Sequence, residues 1–362
     1  MTAFRVFATC DIGEEALSLL TDRGYEVEVF PEVDPPPKSL ILERVSSGID
    51  ALITTLRDPI DEEVFQAGER TLKVISQIAV GVDNIDEEAA KRHGVPYTHT
   101  AEVLTHATAE FAFFIMGCVS RKLYPSERLV REEKWTTWHP YLPFLGDEVS
   151  GKIVAVVGVG RIGRAFLSKC TGLDMDILCC DVVPEDRNFV ERVQTLLNQK
   201  RKLGLTERAS TIRWVSFQEA FAKADYISLH VPLTPETHYL INDSVLDAMK
   251  STAYLINTSR GPVVDGDALY RALKQNKIAG AALDVFEQEP LPPDSPLKDP
   301  ELEDRLRIFH HFASAGRDTR LSADPSVGMA GRTAQGVIDV LEQNYGGDPA
   351  KMPYVFNKTA FL

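Results

Sequence analysis

The chain has 362 residues, of which 44% are hydrophobic and 25% charged, and its formal net charge is −14. That length accommodates two packed domains, and the composition excludes a mainly disordered chain. The acidic balance argues against a general nucleic-acid binder, so the basic trio Lys200, Arg201 and Lys202 is expected to be a solvated helix face.

No apolar run approaches the roughly 20 residues that a membrane span requires. The N-terminal stretch MTAFRVFATCDIG enters a strand directly, without a signal-peptide pattern. A cytoplasmic protein with no membrane partner is the expectation. The five cysteines, Cys10, Cys118, Cys170, Cys179 and Cys180, stand in no metal-ligand spacing. They are expected to be reduced, buried thiols, with no metal site.

Up to about residue 100, short β-rich runs (FRVFAT, YEVEVF, DALITT, LKVISQIAV, VPYTHT) alternate with helix-like stretches such as EEALSLLTDRG and EEVFQAGER. That alternation predicts an α/β unit with a parallel sheet. One long helical pattern then runs from about Leu104 to Glu133, suited to bridging two domains. A second βα series begins with GKIVAVVGVGRIG and continues through DILCCD, TIRWVSF, DYISLHVPL, AYLINTSRG, GAALDVF and RLRIFHHF. Its strands are apolar enough to be buried on both faces. From about Arg317 to Tyr345 the chain reads as helical, and GGDPAKMPYVFNK as extended, returning to the first domain.

Four stretches carry candidate chemistry. In VAVVGVGRIGRAF, Gly158, Gly160 and Gly163 follow an apolar strand and precede a helix pattern, and Asp181 closes the next strand. Glycines there permit a tight turn and let a helix N-terminus approach a pyrophosphate. Asp181 can accept from ribose hydroxyls and repel a 2′-phosphate, which favours NAD(H) over NADP(H). Arg260, in LINTSRGPVVDGDAL, lies just beyond a strand, where a guanidinium could bind a carboxylate and polarise a neighbouring carbonyl. The stretch GAALDVFEQEP offers Asp284, Glu287 and Glu289, and FHHFASAG offers His310 and His311. A glutamate within reach of one imidazole would orient a proton donor. Adjacent side chains of an extended segment face opposite ways, so one histidine at most meets the carboxylate, and local sequence leaves both open.

Taken together and in order, GVGRIG, HVPLTPETHYLI, LINTSRGPVVD, GAALDVFEQEP and HHFASAG resemble the D-isomer specific 2-hydroxyacid dehydrogenase family over nearly the whole chain. IAVGVDNID, VLTHATAEFAF and EEKWTTWHPYLPFLG are similar to its glyoxylate and hydroxypyruvate reductase branch. The resemblance implies two similar parallel-sheet domains with a cleft between them. A discontinuous, flavodoxin-like substrate-binding domain would comprise 1–103 plus 317–362, and a Rossmann NAD-binding domain 104–316. It also implies a homodimer.

By the same resemblance the catalytic set is Arg260, Glu289 rather than Glu287, and His311 rather than His310, which stands at a position the family fills with proline. Asp284 would anchor the nicotinamide carboxamide. Val80 and Gly81 would receive the substrate carboxylate on backbone N–H groups, Leu56 would wall the pocket and Thr108 would lie near the nicotinamide. Arg161, Ile162, Val231, Pro232, Thr237 and Thr258 join the cofactor side, and Trp138 would close the pocket of a neighbouring subunit. The stretch NFVERVQTLLNQKRKLGLTERASTIR is longer than the short helix the family uses there; surface decoration is the expectation, an effect on cofactor choice the alternative. The implied activity is NAD(H)-dependent reduction of a small 2-oxo acid, glyoxylate or hydroxypyruvate. Formate enzymes of similar sequence pair the histidine with glutamine, so Glu289 counts against that chemistry. An NAD-sensing, corepressor-like scaffold is the alternative of another class.

Overall fold

The computed structural model describes residues 3–140 and 145–361. The chain divides into two compact units, Met1–Leu104 with Ala315–Leu362, and Thr105–Ser314. In chain order the first contains β1 (Arg5–Ala8), α1 (Glu14–Thr21), β2 (Glu26–Val29), α2 (Lys38–Ser46), β3 (Ala51–Thr54), α3 (Glu62–Ala67), β4 (Val74–Gln77), α4 (Glu87–His93) and β5 (Tyr97–Thr98). The second begins with α5 (Thr105–Ser120), α6 (Leu123–Arg131), β6 (Ile153–Val157), α7 (Arg161–Cys170) and β7 (Asp176–Cys180). It continues through α8 (Arg187–Lys202), β8 (Ile212–Trp214), α9 (Phe217–Lys223), β9 (Tyr226–Leu229) and α10 (Asp243–Ala248). It closes with β10 (Tyr254–Asn257), α11 (Gly266–Lys274), β11 (Gly280–Leu283) and β12 (Leu306–Ile308), before α12 (Arg317–Leu321) and α13 (Met329–Leu341) return to the first unit.

Both sheets are parallel throughout, ordered β2-β1-β3-β4-β5 and β12-β11-β10-β9-β6-β7-β8. The fold is therefore α/β with two similar parallel-sheet units. Side chains alternate between the faces of a strand, so each sheet feeds two cores. In the first unit Phe7, Leu52 and Ile75 pack with Ile41, Val64 and Phe65, whereas Val6, Ile53 and Val74 pack with Leu20 of α1 and Val337 and Ile338 of α13. In the second, Ala155, Ile227 and Leu255 face the layer that includes Phe221 and Leu269, and Val154, Val156 and Ile177 face the one with Met116, Phe166 and Leu197. Burial on both sides is why β3, β9, β10 and β11 are fully buried along their length.

Several local expectations change. The helical pattern from Leu104 to Glu133 is two helices, broken where Lys122 takes φ +55. The stretch after Arg317 is likewise broken, into α12 and α13, with Pro325 in the gap. Gly336 lets α13 lie against β5: a Cβ there would sit 2.6 Å from the Thr98 hydroxyl oxygen. The C-terminal segment, expected to be extended, is mostly short 3-10 turns (Asn344–Gly347, Pro349–Lys351, Lys358–Phe361). Only the part around Val355 runs along β5, with the His99 N–H donating to the Tyr354 carbonyl and the Phe356 N–H to that of Tyr97. All five cysteines are free thiols; Cys170, Cys179 and Cys180 are buried, but Cys10 and Cys118 only half-buried. Among the described residues no helix is long and apolar enough to cross a membrane.

Candidate active site

The second sheet reverses its strand order at β6, between β9 and β7. The carboxyl end of such a switch point is where open α/β sheets bind ligands. Two fingerprint glycines there answer to the protein itself. Gly158 has φ +89, and a Cβ on Gly163 would sit 2.0 Å from the Gly158 carbonyl oxygen. Gly160, which caps α7, is different: a Cβ there would meet no atom within 4 Å, so its smallness leaves room for something else at the helix N-terminus. Asp181, just past β7, accepts the Val159 N–H at 2.6 Å and the Val183 N–H at 3.1 Å.

The remaining cofactor candidates lie at neighbouring strand and helix ends. Arg161 and Ile162 open α7, and Val231 and Pro232 follow β9, where the Thr237 hydroxyl donates to the Pro232 carbonyl at 2.7 Å. Thr258 follows β10, its hydroxyl oxygen buried without a hydrogen-bond partner, and Thr108 is buried in the first turns of α5. His230 is a neighbour the sequence reading did not single out. Burial pushes its pKa down to about 3, so the ring is neutral; the Ser228 hydroxyl meets Nε2 at 2.9 Å, and Nδ1 has no partner. Open space above Gly160, the Asp181 carboxylate and an orphaned hydroxyl at Thr258 all suit a dinucleotide.

The proton-transfer candidates converge at the ends of β11 and β12. His311 Nδ1 lies 2.8 Å from Glu289 Oε2, and Glu289 Oε1 accepts the Phe286 N–H at 3.0 Å. Burial alone would raise the Glu289 pKa, but the His311 bond, that N–H and the Arg260 charge outweigh it and hold the carboxyl below its ordinary range. Glu287 is not involved in this pair; it takes the Tyr239 hydroxyl. His310 is exposed and lies against Phe312, ring centroids 5.1 Å apart. The segment is not extended, as the reading of adjacent histidines assumed: His311 has φ +56. Asp284 holds that turn. Its carbonyl accepts the His311 N–H at 2.8 Å, and its carboxylate oxygens accept the N–H groups of Phe312 at 2.6 Å and Ala313 at 2.8 Å.

Arg260 stands on a turn shaped by Asn257, which sequence reasoning missed. The Asn257 amide donates to the Arg260 carbonyl at 2.9 Å, while its oxygen accepts from the Ser259 N–H and hydroxyl at 3.0 and 2.7 Å. The guanidinium also donates to the Ser259 carbonyl at 2.8 Å. A Cβ on Gly261 would fall 1.8 Å from the Phe286 carbonyl carbon, so this turn rests directly on the segment that carries Glu289.

In the first unit, Val80 and Gly81 lie on the loop after β4, with carbonyls fixed from below. Gln77 donates to the Gly81 carbonyl at 2.6 Å, and His99 Nδ1 lies 3.2 Å from that of Val80. Neither the Val80 nor the Gly81 N–H has a hydrogen-bond acceptor among the described residues. Gln77 and Asn84 form a two-way amide pair at 2.7 and 3.0 Å, and Asn84 also donates to the Thr55 and Asp58 carbonyls at 3.1 and 2.7 Å. That ties this loop to the turn carrying half-buried Leu56. No local sequence signal marks these amides, whose role shows only once β4 and the Thr55–Asp58 turn are brought together. Trp138 is 77% exposed in the stretch after α6; Tyr141 to Phe144 of the same motif lie outside the described residues.

The profile for "D-isomer specific 2-hydroxyacid dehydrogenase, NAD binding domain" matches residues 113–311. The chain belongs to the D-isomer specific 2-hydroxyacid dehydrogenase family. It is 42% identical over 317 residues to a glyoxylate reductase of Korarchaeum cryptofilum, an alignment covering 87% of this chain and 88% of that protein. The crystal structure of a Thermus thermophilus protein superposes with a TM-score of 0.80 at 37% identity, covering 94% of this chain and 97% of the other. A D-lactate dehydrogenase from Aquifex aeolicus, solved with NAD and lactic acid, gives 0.73 at 26% identity, covering 95% and 97%. This family member is a nicotinamide-dependent oxidoreductase that reduces 2-oxo acids.

Because the folded-state pKa of Glu289 is depressed, its ionised form contributes stability above the unfolded glutamate pKa of about 4.3. That contribution disappears as pH falls through the lower folded value. Glu289→Gln should therefore melt below wild type at pH 7, with the gap closing on acidification towards about pH 3. Melting curves at both pH values check this; a gap that persists at low pH would show that the carboxylate charge is not what the site stabilises.

Proposed function

We propose that this enzyme reduces glyoxylate to glycolate with NADH, and that hydroxypyruvate is its second substrate. The observation that carries the reading is the Glu289–His311 pair at 2.8 Å with the Arg260 charge beside it; the name of the 42% identical relative supports the substrate. The nicotinamide, when bound, supplies the hydride to the carbonyl carbon. The N–H groups of Val80 and Gly81 and the Arg260 guanidinium bind the substrate carboxylate, and Arg260 also polarises the carbonyl oxygen. Leu56 walls the pocket on the side of a short substrate. With His311 Nδ1 given to Glu289, Nε2 is the nitrogen that delivers a proton to the oxygen as charge develops there.

Gly158, Gly160, Arg161, Ile162 and Gly163 take the pyrophosphate in this reading, Asp181 the adenosine ribose, and Thr108, Val231, Pro232, Thr237, Thr258 and Asp284 the remainder of the cofactor. Asp181 favours NADH because both its oxygens are already held by backbone N–H groups. A carboxylate so fixed cannot swing away from a 2′-phosphate. We assign 1–103 with 317–362 to substrate binding and 104–316 to the nucleotide. The assembly is a homodimer, with Trp138 reaching the partner's pocket. Exposed Phe114 and Leu123 at an apolar hollow of about 340 Å³, lined mainly by α5 with Val149 and Leu173, support a second copy there. Five free thiols accord with the cytoplasm.

Steady-state assays should show His311→Ala losing about 10²–10⁴ in kcat, with His310→Ala keeping at least about a tenth of it; equal severe losses from both would remove the assignment of His311. Wild type should prefer NADH over NADPH by roughly tenfold or more in kcat/KM, and a preference for NADPH would remove the role given to Asp181. Sedimentation should return twice the mass of one chain, with a monomer overturning the dimer. A protein that binds NADH yet reduces neither glyoxylate, hydroxypyruvate nor pyruvate would instead be a nucleotide-sensing scaffold.

A further inference from the structure

The helix that the family resemblance left as decoration, α8, is tied to the glycine-rich turn by one side chain. Arg164, on α7, donates from Nε to the Val159 carbonyl at 3.0 Å and from Nη2 to Asp186 Oδ2 at 3.0 Å, and its guanidinium lies 4.3 Å from the centre of the Phe189 ring. Asp186 is the N-cap of α8, its Oδ1 accepting the Phe189 N–H at 3.0 Å. Val159 is thus gripped on both sides, its N–H given to Asp181 and its carbonyl to Arg164. A closed ring of contacts runs from Val159 through Asp181 and the following loop to Asp186, and back through Arg164.

An exposed ion pair such as Arg164–Asp186, at 40% and 36% side-chain exposure, adds little to global stability. Stability is a poor account of this arrangement for a second reason: α8 is anchored without it. Phe189, Val190, Val193 and Leu197 fall on one helical stripe and pack on the core. Near its C-terminus Lys200 donates to the Thr171 carbonyl and to Asp174, both at 2.6 Å. Gln194 accepts the Ile212 N–H at 3.1 Å and donates to the Ser210 carbonyl, also at 3.1 Å. What the Asp186 contact adds is a fixed position for Arg164, and hence for the carbonyl between Gly158 and Gly160.

We propose that α8 is a cofactor-positioning element, in which Asp186 and Phe189 hold Arg164 so that the Val159 peptide and Asp181 stay set to receive the pyrophosphate and adenosine ribose. This rests on the reading that the nicotinamide nucleotide occupies the glycine-rich turn. Preorganisation of a binding loop is worth affinity because the ordering is done before the ligand arrives. Asp186 and Phe189 touch no part of the nucleotide in this account; they act through Arg164.

The test separates positioning from folding. Asp186→Ser keeps an N-cap oxygen for α8 but is too short to reach Arg164, and Phe189→Leu keeps an apolar side chain on the core stripe without the ring beneath the guanidinium. Titration of full-length protein with NADH should show each variant weakening the Kd about threefold and the pair about tenfold, while kcat at saturating NADH, the KM for glyoxylate and the melting temperature stay close to wild type. Asp186→Asn, whose single oxygen can cap α8 only by turning its NH2 towards the Arg164 guanidinium, should weaken NADH binding as Asp186→Ser does. An unchanged NADH Kd in both single variants would return α8 to decoration. A loss of kcat and melting temperature in step with affinity would make it a structural element only. Wild-type protein that binds neither NADH nor NADPH would instead remove the nucleotide reading on which the proposal rests.

Discussion

Asp284 stands at the carboxyl end of β11 with no exposed surface, and each of its carboxylate oxygens accepts a backbone N–H from the turn that follows β12. Burial raises its pKa, opposed by those two N–H groups. An ionised group in that position must be satisfied or it destabilises the fold, so the turn has little freedom to be elsewhere. Its backbone carbonyl takes the His311 N–H as well, which brings the imidazole over Glu289 in a left-handed backbone conformation that few residues adopt. The reach of His311 to Glu289, and through it the lowered pKa of Glu289, follow from that anchored turn.

A parallel sheet makes such an anchor possible. Every strand delivers its carboxyl end to the same edge, so residues far apart in the chain, such as Asp181, Thr258, Asp284 and His311, emerge from one sheet edge. Hydrogen bonds from polar side chains then set the loops. Asn257 shapes the Arg260 turn, Asn84 and Gln77 shape the Val80–Gly81 loop, and Arg164 grips the glycine-rich turn. In each case a buried or half-buried side chain satisfies a loop carbonyl, leaving N–H groups or a guanidinium for a ligand.

What was legible in the sequence is what leaves a periodic or locally ordered trace. The βα alternation and the glycine fingerprint are patterns along the chain, and both sheets and the Gly158 turn accord with them. The choice between His310 and His311 was not legible locally, because it depends on a turn held from β11, which is remote in sequence from the pair it orients. The break at Lys122 had a local signal in Pro125, a residue that a helix interior does not accommodate, whereas nothing local distinguishes the amide pair of Gln77 and Asn84 from ordinary polar residues. The position of α8 relative to Arg164 could be read only once β7 and β8 were paired.

His310, where the family resemblance expects proline, has a topological explanation. β12 is an edge strand, bonded to β11 alone. The N–H groups of Phe309 and His311 point inward, to the Leu283 and Asp284 carbonyls at 2.9 and 2.8 Å. The N–H of His310 between them has no acceptor among the described residues, so a proline there would sacrifice no ladder bond. By the same token a histidine there needs none. Over this stretch the ladder advances two residues on the β12 side and one on the β11 side, an irregularity of the kind that re-aims a side chain beside a functional site. The aim of His311 is therefore set by Asp284 and the ladder, not by the ring constraint of its predecessor. Replacing proline costs chiefly the entropy a stiffer unfolded chain would have saved, and the exposed imidazole of His310 is left to pack on Phe312.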